Sequence, residues 1–221
     1  MKTPTYLYHY TSIGNAKNIL ASNELWASKY NRSNDHFEFS YGLNLAKDVI
    51  NKFVNDTKTQ NIFDKFLLFF KDEINNPTMF YYMVCFSTSH KCLYLYRNYS
   101  KGKKGSIIEL KLSKKDIGHD PILVKVNYSS NYFKKTIFNI MNWYRNYIFN
   151  NAQYWLNNHC YDECCKDTFI YLIRDIFLAS SSFKKFKFHL EQEVRLVSWG
   201  NDNNMKKDVI SVKNSCLRII K

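Results

Sequence analysis

The chain has 221 residues, 45% of them hydrophobic, which is enough for one sizeable core, so a single domain over 1–221 is expected. With only 6 glycines and 3 prolines, the composition argues against flexible linkers and low-complexity segments. The net charge of +13 is spread along the chain, so two readings are open: an affinity for phosphates and other anions, and a lysine-rich composition that only favours solubility.

The N-terminal half alternates between strand and helix patterns. Residues 5–11 read as a strand, Ser12 is a candidate N-cap, and apolar residues at helical spacing follow until Asn23, which is expected to end the helix. Residues 25–30 return to an extended pattern, and 31–38 form a polar, turn-rich segment. Two amphipathic helices are expected next, one with an apolar stripe over 45–54 and one over 61–74, before Pro77.

The remaining chain predicts strands on both sides of a long helical region. Strands are expected at 79–87, 106–112, 122–129 and 191–199, and two more close the chain at 208–213 and 216–221. Residues 131–179 are expected to be mostly helical. This order predicts an α+β domain with a mostly antiparallel or split sheet.

The expected location is the cytoplasm. No pattern of a secretory signal precedes the first strand, and the apolar run over 66–70 is far too short to span a bilayer. Secretion as a signal-less effector stays open.

The segment His159–Cys165 carries a histidine and three cysteines. Cys160 and Cys164 are four residues apart and share one helix face. Zinc binding and ordinary reduced thiols are both open readings, but no second paired cluster completes a set of four ligands, so no metal is expected.

One strand places carboxylates in an unusual position. In residues 191–199, strand alternation puts Val194 and Leu196 on one face and Glu191, Glu193 and Arg195 on the other. A glutamate within an apolar strand either forms a surface ladder with arginine or lines a cleft, because an unpaired buried carboxylate is costly.

Several segments together resemble the bacterial family DUF2971, in the same order and over nearly the full chain. The segments are YHYTSIGNAKNILASNELWAS, NDHFEF, VCFST, KGKKGSIIEL and EQEVRLV. The family's Asn-Asp-Pro-x-Glu motif is here Asn34-Asp35-His36-Phe37-Glu38, without the proline, and Tyr96 stands where the family has tryptophan.

A more distant resemblance connects the chain to the ADP-ribosyltransferases of the His-Tyr-Glu type. A histidine on the first strand, His9, a following helix, and a glutamate on a late strand are similar to that fold, and the HYTS…NILASNEL segment looks like the start of enzymes that ADP-ribosylate DNA. The resemblance implies a split, mostly antiparallel sheet with flanking helices, 131–179 as a helical insertion, and NAD+ as co-substrate.

The resemblance also implies roles for individual residues. Glu193 would stabilise the oxocarbenium-like transition state as the nicotinamide bond breaks, Glu191 would orient or deprotonate the acceptor, and His9 would bond a ribose hydroxyl. The other residues expected to bind NAD+ are Tyr10, Thr11, Ser28, Tyr30, Arg32, Asn34, Asp35 and Tyr96.

The expected function is therefore mono-ADP-ribosyl transfer from NAD+ to a macromolecule, with a protein side chain favoured over nucleic acid. The expected setting is a bacterial toxin, an effector or phage defence. Two alternatives stay open: an NAD+ glycohydrolase with water as acceptor, and a basic nucleic-acid-binding protein or nuclease in which Asp35, Glu38 and Glu193 hold Mg²⁺.

Overall fold

A computed structural model describes residues 6–30, 36–56, 60–75, 80–99, 105–111, 121–200, 209–211 and 216–220. The described strands are β1 Leu7–Ser12, β2 Glu24–Trp26, β3 Ser28–Lys29, β4 Phe80–Ser87, β5 Gly105–Lys111, β6 Ile122–Lys125, β7 Glu193–Gly200, β8 Val209–Ser211 and β9 Cys216–Ile220. The described helices are α1 Ile13–Ser22, α2 His36–Asp56, α3 Gln60–Asn75, α4 Leu93–Tyr99, α5 Ser130–Asn157, α6 Tyr161–Ser181 and a 3-10 helix at Phe186–Glu191.

The chain divides into two compact units. One, here called the sheet unit, comprises Met1–His36, Met79–Tyr128 and Lys185–Lys221, and the other, the helical unit, comprises Phe37–Thr78 and Ser129–Lys184. The region 131–179 is helical, as α5 and α6, and it shares its unit with α2 and α3. None of the described helices is long and apolar enough to cross a membrane.

Local capping defines α1 as the sequence predicts. The side chain of Ser12 accepts a hydrogen bond from the backbone N–H of Asn15, and Asn23 adopts a left-handed conformation with φ 54°. The N–H of Asn23 donates to the carbonyl of Ile19 at 2.9 Å, so both ends of the helix satisfy backbone groups.

The main sheet has the strand order β6-β7-β4-β1-β5-β9, with β3 also paired to β4, and β2 pairs separately with β8. All of these pairings are antiparallel, so the expected combination of helices with a mostly antiparallel sheet is confirmed. The predicted strand at 25–30 is in fact two short strands, and α4 is a helix that the sequence patterns did not predict.

The sheet opens between β1 and β4. β1 pairs with β5 over its whole length, but with β4 through the single pair Tyr8 and Ser87. Further along the same edge of β4, Met83 pairs with Ser28 of β3. Among the described strands, β1 therefore leaves β4 immediately after Tyr8, which creates a split in the sheet.

The two faces of the sheet carry separate apolar clusters. The Leu7 face packs against Ile19 of α1, and the Tyr10 face packs against Leu95 of α4. Buried members of the Leu7 face are Leu7, Leu25, Ala27, Tyr82, Val84, Phe86, Leu110, Val194 and Leu196. Those of the Tyr10 face are Tyr10, Cys92, Leu95 and Ile107.

Aromatic rings form much of the core of the helical unit. Phe66 of α3 lies 5.4 Å from Phe169 of α6 between ring centroids, and Phe39 of α2 lies 5.6 Å from Phe177 of α6. α2 also approaches α6 closely at Gly42, where an added Cβ would lie 3.1 Å from the carbonyl oxygen of Ser180.

Candidate functional site

His9 fills the opening of the split in the sheet. It lies on the Leu7 face, as strand alternation predicts, and its ring packs edge-on against Phe86 with centroids 5.8 Å apart. Its Nδ1 lies 3.0 Å from the carbonyl oxygen of Cys85 on β4. The side chain thus provides a hydrogen bond between β1 and β4 where their backbones have separated.

This contact determines the tautomer of His9. A carbonyl oxygen only accepts hydrogen bonds, so Nδ1 must carry the proton and Nε2 is left as an acceptor. Burial lowers the pKa of His9 below its usual 6.5, and the hydrogen bond to Cys85 opposes this only in part. At neutral pH the ring is therefore uncharged and suited to accept a hydrogen bond from a hydroxyl group.

A cavity of about 550 Å³ opens on the Leu7 face beside His9. Its size falls within the range of small-molecule sites. One wall carries Trp26, which is 78% exposed and presents its indole to solvent. The described residues that line it are His9, Thr11, Asn15, Asn18, Ile19, Ala21, Ser22, Glu24 and Trp26.

Glu193 lies on the other face of the same sheet. The register aligns Tyr8, Ser87 and Glu193 in one row across β1, β4 and β7, so the side chain of Glu193 projects from the Tyr10 face. His9, one residue further along β1, projects from the Leu7 face. The structure therefore does not bring His9 and Glu193 together on one face, as a shared cleft would require.

Glu193 is also held by a buried ion pair. Nε of Arg195 lies 2.7 Å from Oε1 of Glu193, and Nη2 lies 3.2 Å from Oε2. Both side chains are buried, and β7 is an interior strand between β6 and β4. The glutamate–arginine ladder considered from the sequence is thus present, but inside the protein and not on a solvent-exposed edge.

The segment before Glu193 is held by hydrogen bonds from Ser87 and Thr88 at the end of β4. Ser87 Oγ donates to the carbonyl of Glu191 at 2.7 Å, and the N–H of Thr88 donates to the carbonyl of Gln192 at 3.1 Å. Gln192 has φ 46°, so the strand alternation does not extend back to Glu191, which ends the 3-10 helix and is buried. The shared strand face predicted for Glu191 and Glu193 is wrong for this reason.

Tyr10 is part of the core and not of an open site. Its ring is 6% exposed, and its hydroxyl donates to the carbonyl of Ser89 at 2.8 Å and accepts from the N–H of Cys92 at 3.0 Å. In this position the ring is not accessible for stacking on nicotinamide. Tyr10 was expected among the NAD+-binding residues, but strand alternation directs it away from the cavity that His9 lines.

The other predicted NAD+ ligands are dispersed. Thr11 is buried in the cavity wall, whereas Ser28 is exposed on β3. Tyr30 is half-buried, and its N–H donates to the carbonyl of Tyr81. Tyr96 packs on α4 against the cluster of the Tyr10 face. Arg32, Asn34 and Asp35 lie outside the described residues, as does the side chain of Glu38.

Sequence reasoning missed the other polar lining of the cavity, namely Asn15, Asn18, Ser22, Glu24 and Trp26. The available signal was the helical spacing of Asn15 and Asn18 directly after the His9 strand. Within the ranges that the structure describes, no group of three His, Cys, Asp or Glu side chains is arranged to hold a metal ion.

Comparison of the chain with known protein families, curated proteins and solved structures gives no match. The resemblances to DUF2971 and to the ADP-ribosyltransferases stay predictions made from the sequence.

Proposed function

We propose that this protein is a mono-ADP-ribosyltransferase that moves ADP-ribose from NAD+ to a macromolecular acceptor. The observation that carries the proposal is the state of His9 at the split in the sheet. Its Nδ1–H is engaged by Cys85, which leaves Nε2 as the acceptor of a histidine that lines a ligand-sized cavity. A ribose hydroxyl is a fitting donor to that atom.

The rest of the cavity suits a nucleoside. The exposed indole of Trp26 offers a flat apolar surface on which a base can stack, and such stacking is typically worth about 1–3 kcal/mol. The amide side chains of Asn15 and Asn18 and the hydroxyl of Thr11 provide donors and acceptors for sugar and base. This combination supports NAD+ more directly than it supports a protein or lipid ligand.

The family resemblance implies a reacting carboxylate in the segment Glu191–Glu193, where both glutamates are buried and Glu193 lies on the face of the sheet opposite to His9. β1 and β7 are separated by β4, so their backbones lie about 9–10 Å apart. In the proposal the adenosine half of the dinucleotide lies in the cavity that His9 lines. A carboxylate beside the ribose would then stabilise the oxocarbenium-like transition state.

The test is incubation of the purified protein with labelled NAD+, alone and with cell lysate. Wild type is compared with His9→Asn, whose shorter amide keeps a donor towards Cys85 but removes the Nε2 acceptor. Trp26→Ala tests stacking, and Glu24→Gln tests the one carboxylate among the described residues of the cavity lining. We expect label on a macromolecule with wild type, and at least a tenfold weaker NAD+ affinity with His9→Asn and Trp26→Ala.

Four results would change the conclusion. Release of nicotinamide without transfer of label indicates the glycohydrolase alternative. Cleavage of nucleic acid that needs Mg²⁺ and no NAD+ indicates the nuclease. Absence of both NAD+ binding and turnover overturns the proposal. If Glu24→Gln abolishes turnover and leaves NAD+ binding intact, the reacting carboxylate lies in the cavity and not in the segment Glu191–Glu193.

A further inference from the structure

Two cysteine sulfurs meet at the start of α6, in the helical unit. Sγ of Cys164 lies 3.3 Å from Sγ of Cys160, and the geometry fits an S–H donated from Cys164 to Cys160. Both residues are partly exposed, so small solutes reach them from solvent. Nothing in the proposed function uses this pair, and its test is independent of NAD+.

The local sequence brings the two thiols together. His159 has φ 56°, which turns the chain between α5 and α6, and Cys160 is the N-cap residue of α6. The N–H of Cys164 donates to the carbonyl of Cys160 at 2.9 Å, so the two residues are one helical turn apart on the same side. Since Cys160 lies outside the regular helix, its backbone can adjust more easily than a residue of the helix interior.

The two sulfurs are chemically different. The hydrogen bond to Cys160, followed by burial, raises the pKa of Cys164 to about 11, so this sulfur stays a thiol at neutral pH. Cys160 is the acceptor of that hydrogen bond and the candidate for the first nucleophile. The adjacent Cys165 is buried, and Tyr161 is its hydrogen-bonding neighbour.

We propose that Cys160 and Cys164 form a redox-active dithiol that reduces a peroxide and closes to a disulfide. The thiol of Cys160 loses its proton as its sulfur attacks one oxygen of hydrogen peroxide, the O–O bond breaks, and Cys160 becomes a sulfenic acid. The departing hydroxide takes up the proton from Cys160 and leaves as the first water. The sulfur of Cys164 then attacks Cys160, the S–S bond forms, and the S–O bond breaks. The departing hydroxide takes the proton of Cys164 as the second water, so two thiols and one peroxide give one disulfide and two waters.

The disulfide is expected to be easily reduced. Sulfurs at 3.3 Å must approach to about 2.0 Å, and Cβ atoms one helical turn apart start farther from each other than the roughly 3.8 Å of a relaxed disulfide. Bridging therefore distorts the first turn of α6, and strained disulfides have the more oxidising potentials. The site is suited to reversible oxidation and not to permanent cross-linking.

The experiment uses the full chain with Cys165→Ser, because the tryptic peptide 146–166 then contains only the two relevant cysteines. The folded protein is treated with stoichiometric hydrogen peroxide, and the remaining thiols are then alkylated. The mass of the tryptic peptide is measured by mass spectrometry. We expect a peptide lighter by two hydrogen atoms without alkyl groups, and its return to a doubly alkylated form after dithiothreitol.

Three further samples make the result specific. Cys160→Ser, in the same background, should prevent the loss of two hydrogens, and Cys164→Ser should leave a sulfenic acid on Cys160 that dimedone traps. Phenylarsine oxide, which bridges neighbouring thiols, should protect both cysteines from alkylation in the untreated protein. Full alkylation of both thiols after peroxide, or sulfinic acid without a cross-link, would overturn the proposal.

Discussion

Arg195 holds the carboxylate of Glu193 through two contacts, at 2.7 and 3.2 Å, inside the sheet. The arginine side chain is fully buried, and the glutamate nearly so. Such a pair offsets the desolvation of each charge, and removing one partner leaves the other charge buried without it. Substitution of Glu193 is therefore expected to lower the free energy of unfolding, in addition to any effect on catalysis.

We expect Glu193→Ala to lower the free energy of unfolding by about 3–5 kcal/mol, because it leaves the buried Arg195 without this carboxylate. Chemical denaturation monitored by circular dichroism measures the effect. The control is the double variant Glu193→Leu with Arg195→Met, in which both charges are gone. It should recover most of the lost stability, and a single variant that unfolds like wild type would show that the pair contributes little.

Tyr10→Phe tests whether the hydroxyl group of Tyr10 stabilises the core. The substitution keeps an aromatic ring but removes the hydroxyl that accepts from the buried N–H of Cys92 and donates to Ser89. We expect a loss of about 1–3 kcal/mol in the free energy of unfolding, since a buried donor loses its partner. Tyr6→Phe, at an exposed tyrosine in the same segment, should have little effect. Equal stabilities of the two variants would contradict the core assignment of Tyr10.

Local chemistry made part of the fold predictable. Ser12 and Asn23 were assigned as helix caps because their side-chain and backbone preferences act over a few residues, and the structure places both as expected. The common face of Leu7 and His9 followed from the period of a strand. Strand alternation does not show that Leu7 lies in the buried core whereas His9, on the same face, lines a cavity.

Local sequence patterns could not predict that His9 and Glu193 lie on opposite faces of the sheet. Each strand was identified from its own residues, but the faces match only through the pairing of Tyr8 with Ser87 and of Ser87 with Glu193. These pairs join segments far apart in sequence, and a shift of one residue would have exchanged the faces. The left-handed Gln192, which interrupts the Glu191–Glu193 alternation, was equally hidden because glutamine has no marked preference for that conformation.

The lowered pKa of His9 predicts a pH effect on stability. The folded protein binds this proton less readily than the unfolded chain, so the contribution of His9 is complete above pH 6.5 and is lost as the pH falls below that value. His9→Asn removes the titrating ring. When the pH is lowered from about 7.5 to about 5, the free energy of unfolding should therefore fall more in wild type than in His9→Asn.

An NMR titration of the imidazole provides the direct check on His9. The folded-state pKa should lie below 6.5, and the nitrogen shifts of the neutral ring should show the proton on Nδ1. A pKa of 6.5 or above, or a proton on Nε2, would contradict the acceptor role on which the proposed NAD+ site depends.

Tyr144 connects α5 to α6 through its hydroxyl, which donates to Oδ2 of Asp175 at 2.8 Å. Burial, followed by this hydrogen bond, raises the pKa of Tyr144, so it stays a donor throughout the ordinary pH range. We expect Tyr144→Phe to cost about 1.5–3 kcal/mol in unfolding free energy, because the acceptor is charged. Tyr132→Phe, at an exposed position of the same helix, is the control and should differ from wild type by less than about 0.5 kcal/mol.

Two helical glycines form a matched pair for testing the approach of α2 to α6. A Cβ at Gly14 of α1 would meet no atom within 4 Å, whereas one at Gly42 would lie 3.1 Å from the backbone oxygen of Ser180. Alanine should therefore stabilise the protein at position 14 by up to about 1 kcal/mol through helix propensity. At position 42 the same gain is offset by the contact, since a backbone oxygen in a packed helix cannot easily move. Thermal unfolding should rank Gly14→Ala above wild type and Gly42→Ala below it, and a Gly42→Ala variant as stable as Gly14→Ala would show that the two helices are not packed as closely as described.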